Sequence, residues 1–373
     1  MHIGVPREIK NHEYRVGLTP TAVAELVRNG HEVTVEHDAG AAIGFADADY
    51  TGAGARVASV DEVFGDAQLI VKVKEPQAPE RARLGPQHIL FTYLHLAPDR
   101  PQTDGLLASG ALCIAYETVT DSRGGLPLLA PMSEVAGRMA VQAGAGCLEK
   151  SRGGRGVLLG GVPGVPRGRV VILGGGVVGS NALAMAVGLG ADVAVLDKNP
   201  EVLRQLDARY GNRIHTLYST AATLEEQITG ADLVIGAVLV PGAAAPKLIS
   251  AELVSRMQQG AVLVDVAIDQ GGCAETSRAT THADPTYIVD GVVHYCVANM
   301  PGAVARTATQ ALNNATLPFV LAIANKGARQ ALDDDPHLRR GLNVAAGHLT
   351  NASVGDALGL AAQSPEDALE AMS

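Results

Sequence analysis

The run from Val170 to Asp197, VVILGGGVVGSNALAMAVGLGADVAVLD, limits the fold more than any other part of the chain. It opens on a β-branched apolar stretch, Val170 to Leu173, and turns through Gly174, Gly176 and Gly179. An Ala-rich helical pattern follows, then a second apolar stretch that ends at Asp197. Strand, glycine turn, helix and strand make a βαβ unit, and in that context the G-x-G-x-x-G spacing is a dinucleotide fingerprint. Gly174 permits the tight turn, Gly176 lets the backbone approach a pyrophosphate, and Gly179 brings helix against strand. The helix N-terminus then holds the phosphate charge. Asp197 is placed to accept hydrogen bonds from the adenosine ribose hydroxyls and to repel a 2′-phosphate, which favours NAD over NADP. Lys198, beside it, works in the opposite direction.

A chain of 373 residues fits about two domains and can bury sizeable cores. Hydrophobic residues make up 47% and charged residues 18%, which sets it apart from the low hydrophobicity and high charge of disordered chains. A net charge of -10 with no basic run argues against a nucleic-acid partner. Cys113, Cys147, Cys273 and Cys296 are far apart and form no CxxC pair, so neither a zinc site nor a disulfide framework is suggested, which suits a reducing cytoplasm. The N-terminal MHIGVPREIKNHEYRVG is charged throughout and does not read as a signal peptide. No apolar run reaches the ~18 residues of a membrane span.

Residues 1–125 read as an α/β unit of their own. Strands are expected at His2 to Val5, Glu32 to Glu36, Leu69 to Val73, Ile89 to Leu94 and Leu112 to Ala115, with a helix from Pro20 to Arg28 capped by Thr19. Polar clusters follow these strands: Arg7 to Arg15, Lys72 to Glu75, His95, and Tyr116 to Thr118. Ligands of open parallel sheets bind outside the carboxyl ends of the strands, so these clusters are candidate site residues. A helix from Ser133 to Lys150 and the Gly/Pro-rich loop RGGRGVLLGGVPGVPRG lead into the fingerprint. Beyond it are expected a helix at Pro200 to Tyr210 and strands near Ile214 to Leu217, Leu233 to Ala237 and Val262 to Val266, lengths that suit a doubly wound sheet. Residues 303–373 read as mainly helical, with ALNNATLPFVLAIANKGARQAL as one helix bent near Pro318.

Four residues stand out chemically. Arg15, in RVGLTP, offers a planar fork for a carboxylate, although its position alone favours a surface arginine. Lys74 alternates with Lys72 along VKVKEP, so both point to one face; Lys72 reads as a solvated side chain. His95, after the apolar ILFTYL, is either a satisfied core histidine or a proton carrier usable near neutral pH. Asp269 ends the apolar AVLVDVAID, and Asp265 on the same run has a similar claim. None of the four has metal-ligand spacing with another, and neither GxSxG nor HExxH occurs, so metal-dependent hydrolysis is not a leading idea.

The opening GVPREIKNHEYRVGLTP, the segment PMSEVAGRMAVQAGA, the central LGGGVVGSNALAMAVGLGADVAVLD and the tail LNNATLPFVLAIANKG together resemble alanine dehydrogenase over nearly the whole chain. Within the same superfamily lie the nucleotide-binding subunit of proton-translocating transhydrogenase and the lysine-forming saccharopine dehydrogenases. The resemblance implies an α/β fold of two Rossmann-like doubly wound domains. A discontinuous substrate domain, 1–127 and 303–373, is completed by C-terminal helices, and an NAD-binding domain spans 128–302. It implies Arg15 and Lys74 as substrate-binding residues, His95 and Asp269 as catalytic acid/base residues, and NAD as cofactor. Cofactor contacts carry over to Ser133, Gly174, Gly176, Val177, Val178, Gly179, Asp197, Ser219, Leu239, Val266, Ala267, Ile268, Asp269, Arg278, Val297, Ala298, Asn299 and Met300. One departure is Val202, where a basic residue is expected five positions after the ribose aspartate. The implied reaction converts L-alanine to pyruvate and ammonium, in a cytoplasmic homohexamer with neither nucleic acid nor membrane as partner.

Overall fold

The computed structural model describes residues 1–238 and 245–371. It divides into two compact units, Met1–Met132 with Val304–Ser373, and Ser133–Ala303.

The first unit opens with six parallel strands: β1 (His2–Val5), β2 (Glu32–Glu36), β3 (Arg56–Ala58), β4 (Leu69–Val71), β5 (Ile89–Thr92) and β6 (Leu112–Ala115). Their spatial order is β3-β2-β1-β4-β5-β6, so the chain reverses its winding direction between β1 and β4. Crevices at such switch points receive ligands. β4 and β6 are buried along their whole length, as strands covered on both faces must be. The helix Pro20–Arg28 starts where expected: the Thr19 hydroxyl accepts the Ala22 N–H, proline sits in its first turn, and Ala22, Val23 and Leu26 face the core.

The second unit holds β7 (Arg169–Leu173), β8 (Asp192–Asp197), β9 (His215–Tyr218), β10 (Leu233–Gly236), β11 (Val262–Asp265), β12 (Thr286–Val289) and β13 (Val292–Tyr295). The order β9-β8-β7-β10-β11-β13-β12 repeats the same winding, with only the edge strand β12 antiparallel. One core cluster joins Val171, Leu173, Val234 and Leu263 of this sheet to Leu224, Ile228, Leu253 and Val254 of the helices Ala221–Thr229 and Ala251–Ser255. Gly137, in the helix Ala130–Cys147, lies so close to the helix Val177–Gly188 that a Cβ there would stand 2.1 Å from the Val178 carbonyl oxygen.

The chain then returns to the first sheet. The described part of residues 303–373 is mainly helical, as expected, and also carries two strands that were not expected: β14 (Leu342–Ala345) pairs antiparallel with β6, and β15 (His348–Leu349) with β14. These strands are too short to carry a period of their own, and β14 gains its place from the exposed edge of β6. The long helix is continuous through Pro318 from Ala305 to Lys326 and stops at Gly327, whose φ of +80° ends it before a separate helix, Ala328–Asp334.

Candidate active site and dinucleotide site

In the first unit the loops after β1, β4, β5 and β6 converge as a connected set of charges and aromatic rings. Arg15 is buried rather than on the surface, and its Nε and Nη2 donate to the two carboxylate oxygens of Glu13 at 2.7 and 2.5 Å. Its Nη1 lies 3.1 Å from the Met132 sulfur. Burial alone would weaken the guanidinium charge, but the bond to Glu13 holds the Arg15 pKa above the ordinary arginine value.

β4 ends at Val71, so Lys72 and Lys74 lie just past it, in the loop. Lys72 is not solvated. It is 0% exposed, with Nζ 3.1 Å from Glu8 and 2.5 Å from Glu80. Burial works against this charge, yet the two flanking carboxylates hold its pKa above the ordinary lysine range. Glu8 also accepts the N–H groups of Val73 at 2.7 Å and Lys74 at 3.2 Å, which fixes the backbone carrying the half-buried Lys74. Burial of Glu75 opposes its charge, but Lys74 and Lys10 hold its carboxyl below the usual range.

β5 ends at Thr92, three residues before His95. His95 is not a core histidine: its side chain is 44% exposed, and its backbone is left-handed at φ +51°. Such a conformation costs a non-glycine residue on the order of 1–3 kcal/mol and persists where surrounding contacts fix it. Here the Glu117 carboxylate accepts the Leu94 N–H at 3.2 Å and the His95 N–H at 2.6 Å. The imidazole stacks on Tyr93, centroids 5.7 Å apart and planes within 4°. The Tyr93 hydroxyl donates to the Leu128 carbonyl at 2.5 Å, and that of Tyr116 to the Lys72 carbonyl at 3.0 Å. Lys74 is thus joined to His95 through Glu8, Lys72, Tyr116 and Tyr93, with Glu117 on the far side of His95, while the Arg15–Glu13 pair acts on Tyr93 and Glu8 through its charge. Glu8 and Glu13 lie in the polar cluster Arg7 to Arg15 and Tyr116 and Glu117 in Tyr116 to Thr118, but nothing in the sequence marks them individually as partners.

In the second unit the glycine turn has the form the motif predicts. Gly174 has φ +96°, and a Cβ on Gly179 would lie 1.7 Å from the Gly174 carbonyl oxygen. A Cβ on Gly176, by contrast, would meet nothing within 4 Å. Gly176 opens the helix Val177–Gly188 without a side-chain cap, so the first N–H groups of the helix are presented at this turn. Asp197, at the end of β8, accepts the N–H groups of Gly175 and Asn199, both at 2.7 Å. Its carboxylate has further lone pairs for hydroxyl donors. The buried Ser219 follows β9, with its N–H on the Asp197 carbonyl at 3.0 Å. Val202 packs over Gly175, where a Cβ would come within 2.6 Å of it. Val177 is exposed and Val178 buried beside them. These residues fit a dinucleotide: an uncapped helix end for the pyrophosphate and an acceptor for the ribose.

Asp265 and Asp269 now separate. β11 ends at Asp265, whose buried carboxylate accepts from the amides of Ala267, Cys273 and Ala274 and from the Ser277 hydroxyl, at 3.1, 2.8, 3.3 and 2.5 Å. That set makes it the knot of its own loop. Asp269 lies beyond the strand, exposed in the short helical turn Val266–Gln270, where Ala267 and Ile268 are buried. Arg278 lies with its guanidinium carbon 4.0 Å from the Tyr287 ring centre, and its N–H donates to the Tyr287 hydroxyl. After β13, Val297 and Met300 are buried and Ala298 is exposed, while Asn299 is left-handed at φ +60° with its carbonyl taking the Gly302 N–H. Ser133 is half-buried in the helix Ala130–Cys147, and Leu239 lies outside the described residues. All four cysteines are buried as free thiols. Among the described residues no group of His, Cys, Asp or Glu could hold a metal ion, and no helix is long and apolar enough to cross a membrane.

Two sheets wound in the same order, one of them carrying an uncapped glycine turn closed by an aspartate, define a two-domain dinucleotide-binding α/β protein. The chain belongs to the alanine dehydrogenase/PNT family, matching its N-terminal domain over residues 4–136 and its C-terminal domain over 140–352. It is 64% identical over 361 residues to the alanine dehydrogenase of Halomonas elongata, covering 96% of this chain and 97% of that one. It is 54% identical over 361 residues to the alanine dehydrogenase of Mycolicibacterium smegmatis, with the same coverage of 96% and 97%. Among solved structures, an L-alanine dehydrogenase superposes with a TM-score of 0.94 at 54% identity, over 96% of this chain and 99% of that one. The transhydrogenase of Sinorhizobium meliloti shares the fold, with a TM-score of 0.81 at 24% identity over 94% of this chain and 99% of that one.

Proposed function

We propose that this chain is an NAD-dependent alanine dehydrogenase, which converts L-alanine and water reversibly to pyruvate and ammonium. The observation that carries the reading is its 64% identity, over 96% of its length, to a protein named alanine dehydrogenase. The chain is an oxidoreductase acting on a CH–NH2 group with a nicotinamide dinucleotide, and the acceptor carboxylate of Asp197 supports NAD as the form used.

NAD, when bound, takes the hydride from the substrate Cα. Gly174, Gly176 and Gly179 shape the turn that holds the pyrophosphate at the helix N-terminus, and Asp197 takes the ribose hydroxyls. Ser133, Val177, Val178, Ser219, Leu239, Val266, Ala267, Ile268, Arg278, Val297, Ala298, Asn299 and Met300 supply the remaining contacts. Arg15 and Lys74 bind the substrate carboxylate. Holding the Cα hydrogen in line for transfer is prepaid orientation, worth up to about 7–11 kcal/mol in the best intramolecular cases. His95 and Asp269 move the protons as water adds to the imine and ammonia leaves, a role that typically contributes about 10²–10⁴-fold. The domain assignment follows: residues 1–127 and 303–373 bind the amino acid and 128–302 the cofactor, in a cytoplasmic homohexamer.

The test is the absorbance of NADH formed by purified protein with NAD or NADP and a panel of L-alanine, D-alanine, L-serine, L-lysine and saccharopine. Strong NAD reduction with L-alanine is the expected result. Tight NADH binding without turnover of any amino acid would overturn the reading and favour a transhydrogenase-like or purely regulatory role.

A further inference from the structure

We infer that Glu117 is the positioning residue of His95, pinning the strained turn that presents the imidazole. The inference rests on the reading of His95 as the proton carrier. Glu117 lies in the short turn Tyr116–Thr118 that follows β6, on the neighbouring strand to the one that leads into His95. Its carboxylate reaches across to the next loop and takes two successive amides, those of Leu94 and His95. Successive N–H groups converging on one anion form a nest, and a nest is built only when one residue turns left-handed. That residue is His95, at φ +51°. The same carboxylate stands 3.8 Å from the His95 Nδ1. Glu117 therefore fixes the backbone of His95 and places a negative charge beside its ring, while Tyr93 supports the ring face.

Oε1 of Glu117 takes both amides and Oε2 that of Leu94 alone, so a glutamine with its oxygen at the Oε1 position loses the charge and sets its NH2 against the Leu94 N–H, donor to donor. Glu117→Gln thus opposes the nest with almost no change of volume. Glu117→Asp keeps the charge and shortens its reach.

The experiment uses the full-length chain and compares wild type, E117Q, E117D and H95N. It measures kcat and KM for pyruvate with NADH and ammonium, NADH affinity by fluorescence, and the NMR ring-proton resonances of His95, assigned from H95N. Stacked on Tyr93, those protons carry a ring-current shift. For E117Q we expect kcat at least about tenfold lower, KM and NADH affinity within about twofold, and His95 resonances displaced toward those of free histidine; E117D recovers part of the loss. A kcat within twofold of wild type overturns the inference, as does a lost kcat with unmoved His95 resonances. A rise in KM that accounts for the whole loss also overturns it, because Glu117 would then act on substrate binding. Should E117Q not fold, E117D decides: a lowered kcat with displaced resonances supports the inference, and wild-type values of both overturn it. If wild type turns over neither alanine nor pyruvate, the functional reading fails, and the NMR comparison still decides whether Glu117 positions His95.

Discussion

Arg15 and Glu13, two residues apart in sequence, form a two-pronged ion pair whose side chains are 2% and 0% exposed. A buried pair of this kind is a source of orientation more than of stability, since desolvating two charges offsets most of their attraction. Removing one partner is another matter, because the remaining charge is left buried. Glu13→Gln is expected to lower stability by about 3–5 kcal/mol and to raise KM for both L-alanine and pyruvate, while NADH affinity stays unchanged. Denaturant titration and steady-state kinetics check the two effects separately. An unchanged KM in a folded E13Q protein would remove Arg15 from substrate binding.

The glycines of the nucleotide turn divide into a packing residue and an approach residue. A Cβ on Gly179 would overlap the Gly174 carbonyl at 1.7 Å, so Gly179→Ala has to push helix from strand and should cost both stability and NADH binding. A Cβ on Gly176 would meet nothing within 4 Å, and its φ of -65° suits any residue. Gly176→Ala is therefore expected to keep a wild-type Tm and lose NADH affinity, as read by thermal unfolding and fluorescence titration. Normal NADH affinity in G176A would mean that the pyrophosphate does not pass over this glycine.

This division was legible in the sequence because strand, turn and helix are contiguous there, and the acidic residue closing the motif follows at the next strand end. The same holds for Thr19 and the helix it caps. The environment of Lys72 was not legible: its partners Glu8 and Glu80 come from separate segments, and only the fold turns alternating lysines into one buried and one half-buried side chain. Glu117 fell in the polar cluster Tyr116 to Thr118, but its link to His95, 22 residues away, was hidden for the same reason. The hairpin of β12 and β13 did carry a local signal, Asp290-Gly291, both left-handed at φ +48° and +79°, which is the usual two-residue turn. Ala346-Gly347, between β14 and β15, has the same geometry at φ +47° and +84°, but alanine gives no such signal. Asp265 and Asp269 separate only because the strand stops between them.

Direct evidence for the proton carrier comes from His95→Ala. Its imidazole is exposed and is anchored through its backbone, so truncation should leave the turn and NADH binding intact. Turnover is expected to fall by at least about 10²-fold, in both reaction directions. Fluorescence titration with NADH and the absorbance assay distinguish lost chemistry from lost binding. Near-normal turnover in H95A would shift the proton work to another group.

Stability at alkaline pH has a sign set by buried phenols. Burial, reinforced by the charges of Asp49 and Asp47, pushes the Tyr50 pKa well above 10, and its hydroxyl donates to the Leu18 carbonyl at 3.0 Å. Above the unfolded tyrosine pKa of about 10, the unfolded chain releases this proton while the folded chain keeps it. The contribution of Tyr50 is thus fully present below about pH 10 and declines as pH rises, by up to about 1.4 kcal/mol per pH unit. Tyr50→Phe should be less stable by about 1 kcal/mol at pH 7, from the lost hydrogen bond, yet show a shallower decline between pH 10 and 11. Denaturant melts of both proteins across that range give the slopes. Parallel slopes would show that Tyr50 ionises as freely in the folded protein as in the unfolded chain.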